Sequence, residues 1–158
     1  MFRPLTRFKQ ALSSEDCIAV LMQQPRGVLA VQGDDGYPYA LPINHYYDPE
    51  TGHIFFHSGS AGYKLEALER CDKVSFCVYD EGYREEGHWA LHIRSVIVFG
   101  RIRRIEDHER VLHLSRALSR KFTQDEAEIE TEVLRSGFRT VGLELIPDHI
   151  SGKLVKES

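Results

Sequence analysis

The sequence predicts an α+β fold that is mainly β, an antiparallel sheet or barrel with flanking helices. Six β-rich apolar runs are separated by short turn signals, and helical periodicity is confined to stretches at the start, in the middle and near the end. The run Ser95-Val96-Ile97-Val98-Phe99 is too apolar for a strand with one face in water. Such a strand belongs at the centre, covered on both faces by core or by a second subunit. Hairpin-joined strands with helices at three places fit a closed or half-closed antiparallel sheet.

The elements follow in order. Ser13 or Ser14, then Glu15 and Asp16, signal a helix start, with Cys17, Ile18, Val20 and Leu21 as its apolar face and Pro25 as its stop. Gly27 to Val31 is a short strand, Gly33-Asp34-Asp35-Gly36 a turn, and Tyr37 to Tyr47 a longer aromatic-rich strand. Asp48-Pro49-Glu50-Thr51-Gly52 turns the chain into a third strand around Ile54, Phe55 and Phe56. Ala61 to Arg70 suits a short helix and Lys73 to Tyr79 a strand, while Asp80 to Gly87 is a charged loop. Trp89 to Ile105 contains the central strand. Asp107 to Arg120 is helical with Val111, Leu114 and Leu118 on one side, and Asp125 to Leu134 is an acidic second helix. Phe138 to Ile146 returns to strand, with Val141, Leu143 and Leu145 alternating with Thr140, Gly142 and Glu144.

Bulk composition narrows the class. The 158 residues suffice for one domain, 1–158, with a core of its own; 42% are apolar and 28% charged. Twenty Lys and Arg against 24 Asp and Glu leave no field for nucleic acid, and the cluster Arg101, Arg103, Arg104 is followed at once by Glu106 and Asp107. Cys17, Cys71 and Cys77 are odd in number and widely spaced, which suits a reducing cytoplasm rather than a disulfide framework. No signal-type segment stands near Arg3, Arg7 and Lys9, and no run approaches the about 18 apolar residues of a membrane span. A cytoplasmic protein without membrane partners is expected.

The junction Phe55-Phe56-His57-Ser58-Gly59-Ser60-Ala61-Gly62-Tyr63-Lys64-Leu65 carries the most chemistry. An apolar strand ends, small polar residues follow, and a lysine opens a helix, whose first N–H groups and positive dipole end suit an anion such as phosphate. The plainer alternative is an ordinary helix start with Ser60 as its cap.

Several long motifs in order resemble a known family. Met1-Phe2-Arg3, Gly27-Val28-Leu29-Ala30-Val31, Tyr37-Pro38-Tyr39-Ala40-Leu41-Pro42 and Phe55-Phe56-His57 begin the likeness. Lys73-Val74-Ser75-Phe76-Cys77-Val78, Arg94 to Arg101 and His149-Ile150-Ser151-Gly152-Lys153 continue it over nearly the whole chain. The sequence resembles a flavin-binding split-barrel protein of the pyridoxamine 5′-phosphate oxidase superfamily, and within it the 5-nitroimidazole-resistance (Nim) group. The resemblance implies a six-stranded split β-barrel, a homodimer with two FMN molecules at the subunit interface, and reduction of a small-molecule acceptor such as a nitro compound, with NAD(P)H a transient donor. It further implies that Leu41, Pro42, Ile43 and Asn44 lie along the isoalloxazine, that His57, Ser58, Gly62, Tyr63 and Lys64 take the ribityl phosphate and its surroundings, and that Ser95, Val96 and Lys153 reach the flavin. His57 would also stand beside the substrate, as a proton donor for nitro reduction. Two other readings go with the same residues: a non-enzymatic flavin store or redox sensor, and a split-barrel enzyme using haem or a deazaflavin.

The resemblance has departures. Pyridoxamine 5′-phosphate oxidases carry a terminal arginine and histidine signature for the substrate phosphate, and Leu154 to Ser158 lacks it, which argues against vitamin oxidation. Some relatives have an arginine where Tyr63 stands, so Lys64 is the motif's one cation here. His88 and His92, four apart, are weighed against solvated or packing roles and not taken as a metal site; His45 either faces the cleft or packs among Tyr46 and Tyr47. No nucleophile elbow, Walker loop or dinucleotide fingerprint occurs.

Overall fold

Helix α1 (Ser14–Gln23) is capped by Ser13, whose hydroxyl accepts from the Asp16 N–H, and ends two residues before Pro25. Strands β1 (Arg26–Gln32) and β2 (Pro38–Asn44) form a hairpin across a turn in which Asp35 has φ +56° and Gly36 φ +80°. β3 (Tyr46–Asp48) and β4 (His53–Ser58) form a second, its turn tied by the Asp48 carboxylate to Glu50 and Thr51. Then come α2 (Tyr63–Arg70), β5 (Lys73–Tyr79), β6 (Leu91–Arg104), α3 (His108–Ser119), α4 (Glu126–Ser136) and β7 (Val141–Glu157). The computed structural model describes residues 1–157.

All seven strands make one antiparallel sheet in the order β2-β1-β5-β6-β7-β4-β3, with β6 in the middle as expected. The sheet curls into a split barrel, and the edge strand β2 comes into contact across the seam with β4, the neighbour of the other edge strand β3. The strand count exceeds the expected six because Tyr37 to Tyr47 is not one strand. At His45 the chain leaves one edge of the sheet and enters the other, so β2 and β3 lie at opposite ends of the order.

The concave face holds the main core. Leu29, Val31, Ile54, Phe56, Val74, Phe76, Val78, Val96 and Val98 pack there with Leu143 and Leu145, and α1 closes over them through Cys17, Val20 and Leu21. On the convex face Phe55 and Ile105 pack against Val111, Leu114 and Leu118 of α3. Period-two alternation sends each strand's residues to both cores.

Two further expectations change. The last strand does not stop at Ile146: it runs on to Glu157 and pairs with β6 from Leu143 onward, a register shift at Phe99/Gly100 leaving Asp148 unmatched. Phe138 lies before it, in a single 3₁₀ turn (Gly137–Arg139). The run Ser95 to Phe99 is core on one face only; Ile97 and Phe99 each remain 38% exposed on the other, where Phe2 stacks over Phe99 and His149.

Candidate functional site

The strand-to-helix junction is open. After Ser58 the chain passes through Gly59 to Gly62, and α2 begins with Gly62 as its N-cap, without a side-chain cap hydrogen bond. Ser60 is therefore not the cap, and the helix's first N–H groups have no side-chain acceptor. Gly62 sits at φ +138°, a conformation L side chains rarely adopt, and a Cβ at Gly59 or Gly62 would meet nothing within 4 Å. Open space and unclaimed donors at a positive helix end fit an oxyanion.

Lys64 is half-buried and makes no ion pair among the described residues; loss of surrounding water holds its pKa below the ordinary lysine value. His57 opens to solvent at the end of β4. The protein around it still displaces enough water to lower its pKa, and the Lys64 ammonium lowers it further. His57, Ser58 and Gly59 line one wall of a hollow of about 340 Å³, and Ser136, Arg139 and Thr140 form the other. The structure thus gathers His57, Ser58, Gly62 and Lys64 at one end of the barrel.

Tyr63 is turned elsewhere. Its hydroxyl accepts from the Asp34 N–H at 2.6 Å, its ring meets Tyr39 edge-on at 4.5 Å, and Arg70 pairs with Asp34 at 2.6 Å. A Cβ at Gly33 would lie 2.7 Å from the Tyr63 hydroxyl, so this tie between α2 and the β1–β2 turn requires glycine. Leu41 and Ile43 of β2 lean on the concave core, Pro42 is exposed on the other face, and the Asn44 side-chain oxygen accepts from Arg26 Nε at 3.1 Å.

Ser95, Val96 and Lys153 lie far away within the chain. Val96 is fully buried, while Ser95 pairs in register with Lys153. His57 pairs with Gly142, eleven residues before Lys153 on β7. At about 3.3 Å per residue those positions are roughly 35 Å apart along the strand.

The other histidines have structural surroundings. His45 is fully buried; its Nε2–H donates to the Leu21 carbonyl at 2.7 Å, leaving Nδ1 without a partner, and its ring meets Phe76 edge-on. Burial first, then the nearby Lys121 ammonium, push its pKa down to about 4. His92 is stacked on Tyr83 with centroids 4.8 Å apart, and His88 is exposed in the preceding loop. Among the described residues no group of three or more His, Cys, Asp or Glu gathers around a metal-sized space.

Sequence reasoning missed Arg139. It stands 82 positions after His57 and reaches the hollow only because α4 ends and β7 begins beside β4. No local spacing signals such a neighbour.

The sequence matches the family model described as "Pyridoxamine 5′-phosphate oxidase" over residues 13–154. No protein of curated function matches it. Among solved structures, a candidate 5-nitroimidazole antibiotic resistance protein from Bacteroides thetaiotaomicron is similar with a TM-score of 0.76 at 19% identity, over 92% of this chain and 87% of that one. A FAD-binding protein from Mesorhizobium loti has a TM-score of 0.65 at 22% identity, covering 92% and 97%. The FAD and heme binding protein from Mycobacterium smegmatis has a TM-score of 0.71 at 24% identity, covering 92% and 73%. At these identities the likeness is one of fold.

Proposed function

The chain belongs to the pyridoxamine 5′-phosphate oxidase family, and from that premise we propose that it is an FMN-dependent oxidoreductase of the nitroimidazole-reductase type, acting as a cytoplasmic homodimer with flavin between its subunits. The observation that carries the flavin reading is the junction itself. It offers the unpaired Lys64, the free Ser58 hydroxyl, an uncapped helix start and open space on the loop's outer side. Resistance to 5-nitroimidazole and binding of FAD, named for proteins of the same fold, support the electron chemistry and the flavin class.

The dimer is supported by separation. If His57 and Lys64 hold the phosphate end, Ser95 and Lys153 of the same chain stand too far along β7 to touch the same ring, so a second copy must bring them. Half-open Ile97 and Phe99 give that copy an apolar face to cover. Free Cys17, Cys71 and Cys77 suit a reducing compartment.

When bound, the flavin supplies hydride or single-electron transfer. The chain does the rest. Lys64 and Ser58 hold the phosphate, and Leu41 to Asn44 present a mostly apolar strand to the ring. His57, its pKa lowered, is neutral near pH 7, so one ring nitrogen carries an N–H and the other accepts. Nitro reduction consumes protons as well as electrons: the neutral ring's N–H hydrogen-bonds the acceptor's oxygen, and the imidazolium form, refilled with a proton from water, would deliver the proton and return to the neutral ring. NAD(P)H, as donor, would visit the same cleft transiently.

The visible spectrum of the purified protein tests the cofactor, since FMN, haem and deazaflavin absorb differently and released FAD is separable from FMN. A colourless protein that does not take up added FMN overturns the reading. For turnover, flavin is reduced anaerobically and a nitroimidazole added; wild type reoxidises, and His57→Ala slows the step by ~100-fold, the usual worth of a positioned proton donor. Equal rates would leave His57 a cofactor contact only, and no reoxidation by any nitro acceptor would favour the flavin store or redox sensor.

A further inference from the structure

We propose that Arg139 is the second cation of the phosphate site and, with Lys64, makes the protein select a phosphorylated flavin over riboflavin. The inference rests on the flavin reading above. A flavin phosphate carries a charge of about −1.5 to −2 near pH 7, and Lys64 alone balances only part of it. Tyr63, next to it on the motif, is a phenol engaged with the Asp34 N–H and adds no charge.

Arg139 has the position and the freedom. It lines the hollow with His57 and Ser58, and His57 is also the residue on which the Lys64 charge acts, so the two cations share one neighbour. None of the hollow's lining residues is acidic. Arg139 has no ion pair among the described residues, so no carboxylate of the chain neutralises its charge. Its guanidinium instead lies over the Phe138 ring, 5.0 Å from the centroid, which orients the group without neutralising it.

The hydroxyls in the hollow divide by role. Thr140 donates to the Ser136 carbonyl at 3.0 Å and Ser136 to the Glu132 carbonyl at 2.8 Å, so their protons are committed to the end of α4 and hold Arg139's backbone in place. Ser58 has no such commitment and remains a donor to the oxyanion. A guanidinium presents two parallel N–H groups to two phosphate oxygens, which an ammonium does not, so Arg139 adds geometry as well as charge.

The test is titration of the apo-protein with FMN and with riboflavin, followed by flavin fluorescence and needing no turnover. Wild type is expected to prefer FMN. Arg139→Ala weakens FMN binding by about tenfold or more, the usual worth of a charge-assisted contact, and leaves riboflavin within about twofold. Arg139→Lys recovers part of the loss, and Lys64→Ala with Arg139→Ala abolishes the preference. Melting curves of the variants should match wild type, since Arg139 is exposed and unpaired. An FMN preference intact in Arg139→Ala, or equal losses for both flavins, overturns the proposal alone. Wild type that takes up neither flavin overturns the flavin reading and this proposal with it.

Discussion

Glu144 occupies a position that alternation along its strand assigns to the polar side, yet it is 2% exposed. α3 covers that side, and the carboxylate accepts from His53 Nδ1 at 2.8 Å, Arg103 Nε at 2.9 Å and two nitrogens of Arg110. Arg110 above all, then His53 and Arg103, hold its pKa down to about 2 against the opposing effect of burial. Because the folded value lies below the unfolded one, the carboxylate's contribution is complete above about pH 4.5 and is lost as pH falls towards 2. Since Arg103 is largely solvent-exposed, that contribution is on the order of 2 kcal/mol. Urea unfolding at pH 7 and pH 3 should show wild type losing about that much more than Glu144→Gln. Alternation revealed two faces; only the path of α3 reveals that the second is roofed.

His45 shows the same limit for an element. Tyr37 to Tyr47 contains no glycine, and its two prolines, Pro38 and Pro42, lie on the sheet's edge strand β2, where a missing N–H is tolerated, so nothing local marks the break. The break is set by closure: one edge strand must continue as the other, and the crossing residue leaves the hydrogen-bonded ladder. Lys121, just beyond α3, donates to the carbonyls of Gln24 and His45 at 2.6 and 2.8 Å and ties the end of α1 to the crossing. Its burial lowers its pKa to about 8. Lys121→Ala leaves both carbonyls without that donor and should cost about 2 to 3 kcal/mol in urea unfolding; a loss below about 0.5 kcal/mol would mean water replaces the ammonium. By contrast α1, α3 and the central strand were legible in the sequence, because their caps and apolar periods are local.

At the scale of the whole molecule, the legible part of the candidate site was the His57–Lys64 junction, a contiguous segment whose open helix start the structure describes, and the illegible part was whatever tertiary proximity adds to it. The convex face around Ile97 and Phe99 belongs to this scale. Ile97→Asp places a charge where a second copy is proposed to pack, and sedimentation should shift from dimer to monomer, with flavin retention falling alongside. A wild-type monomer at micromolar concentration that still holds flavin would sink the interfacial site. The strand order also sets a schedule. β4 pairs with the three-residue β3 on one side and with β7 on the other, and β7 begins more than eighty residues after β4 ends. During synthesis His57 therefore emerges early but waits on a half-bonded strand, and the hollow acquires its far wall only when Ser136 to Thr140 arrive. A nascent or C-terminally shortened chain has the junction's sequence without the hollow's far wall, so the proposed flavin loading belongs to the finished polypeptide.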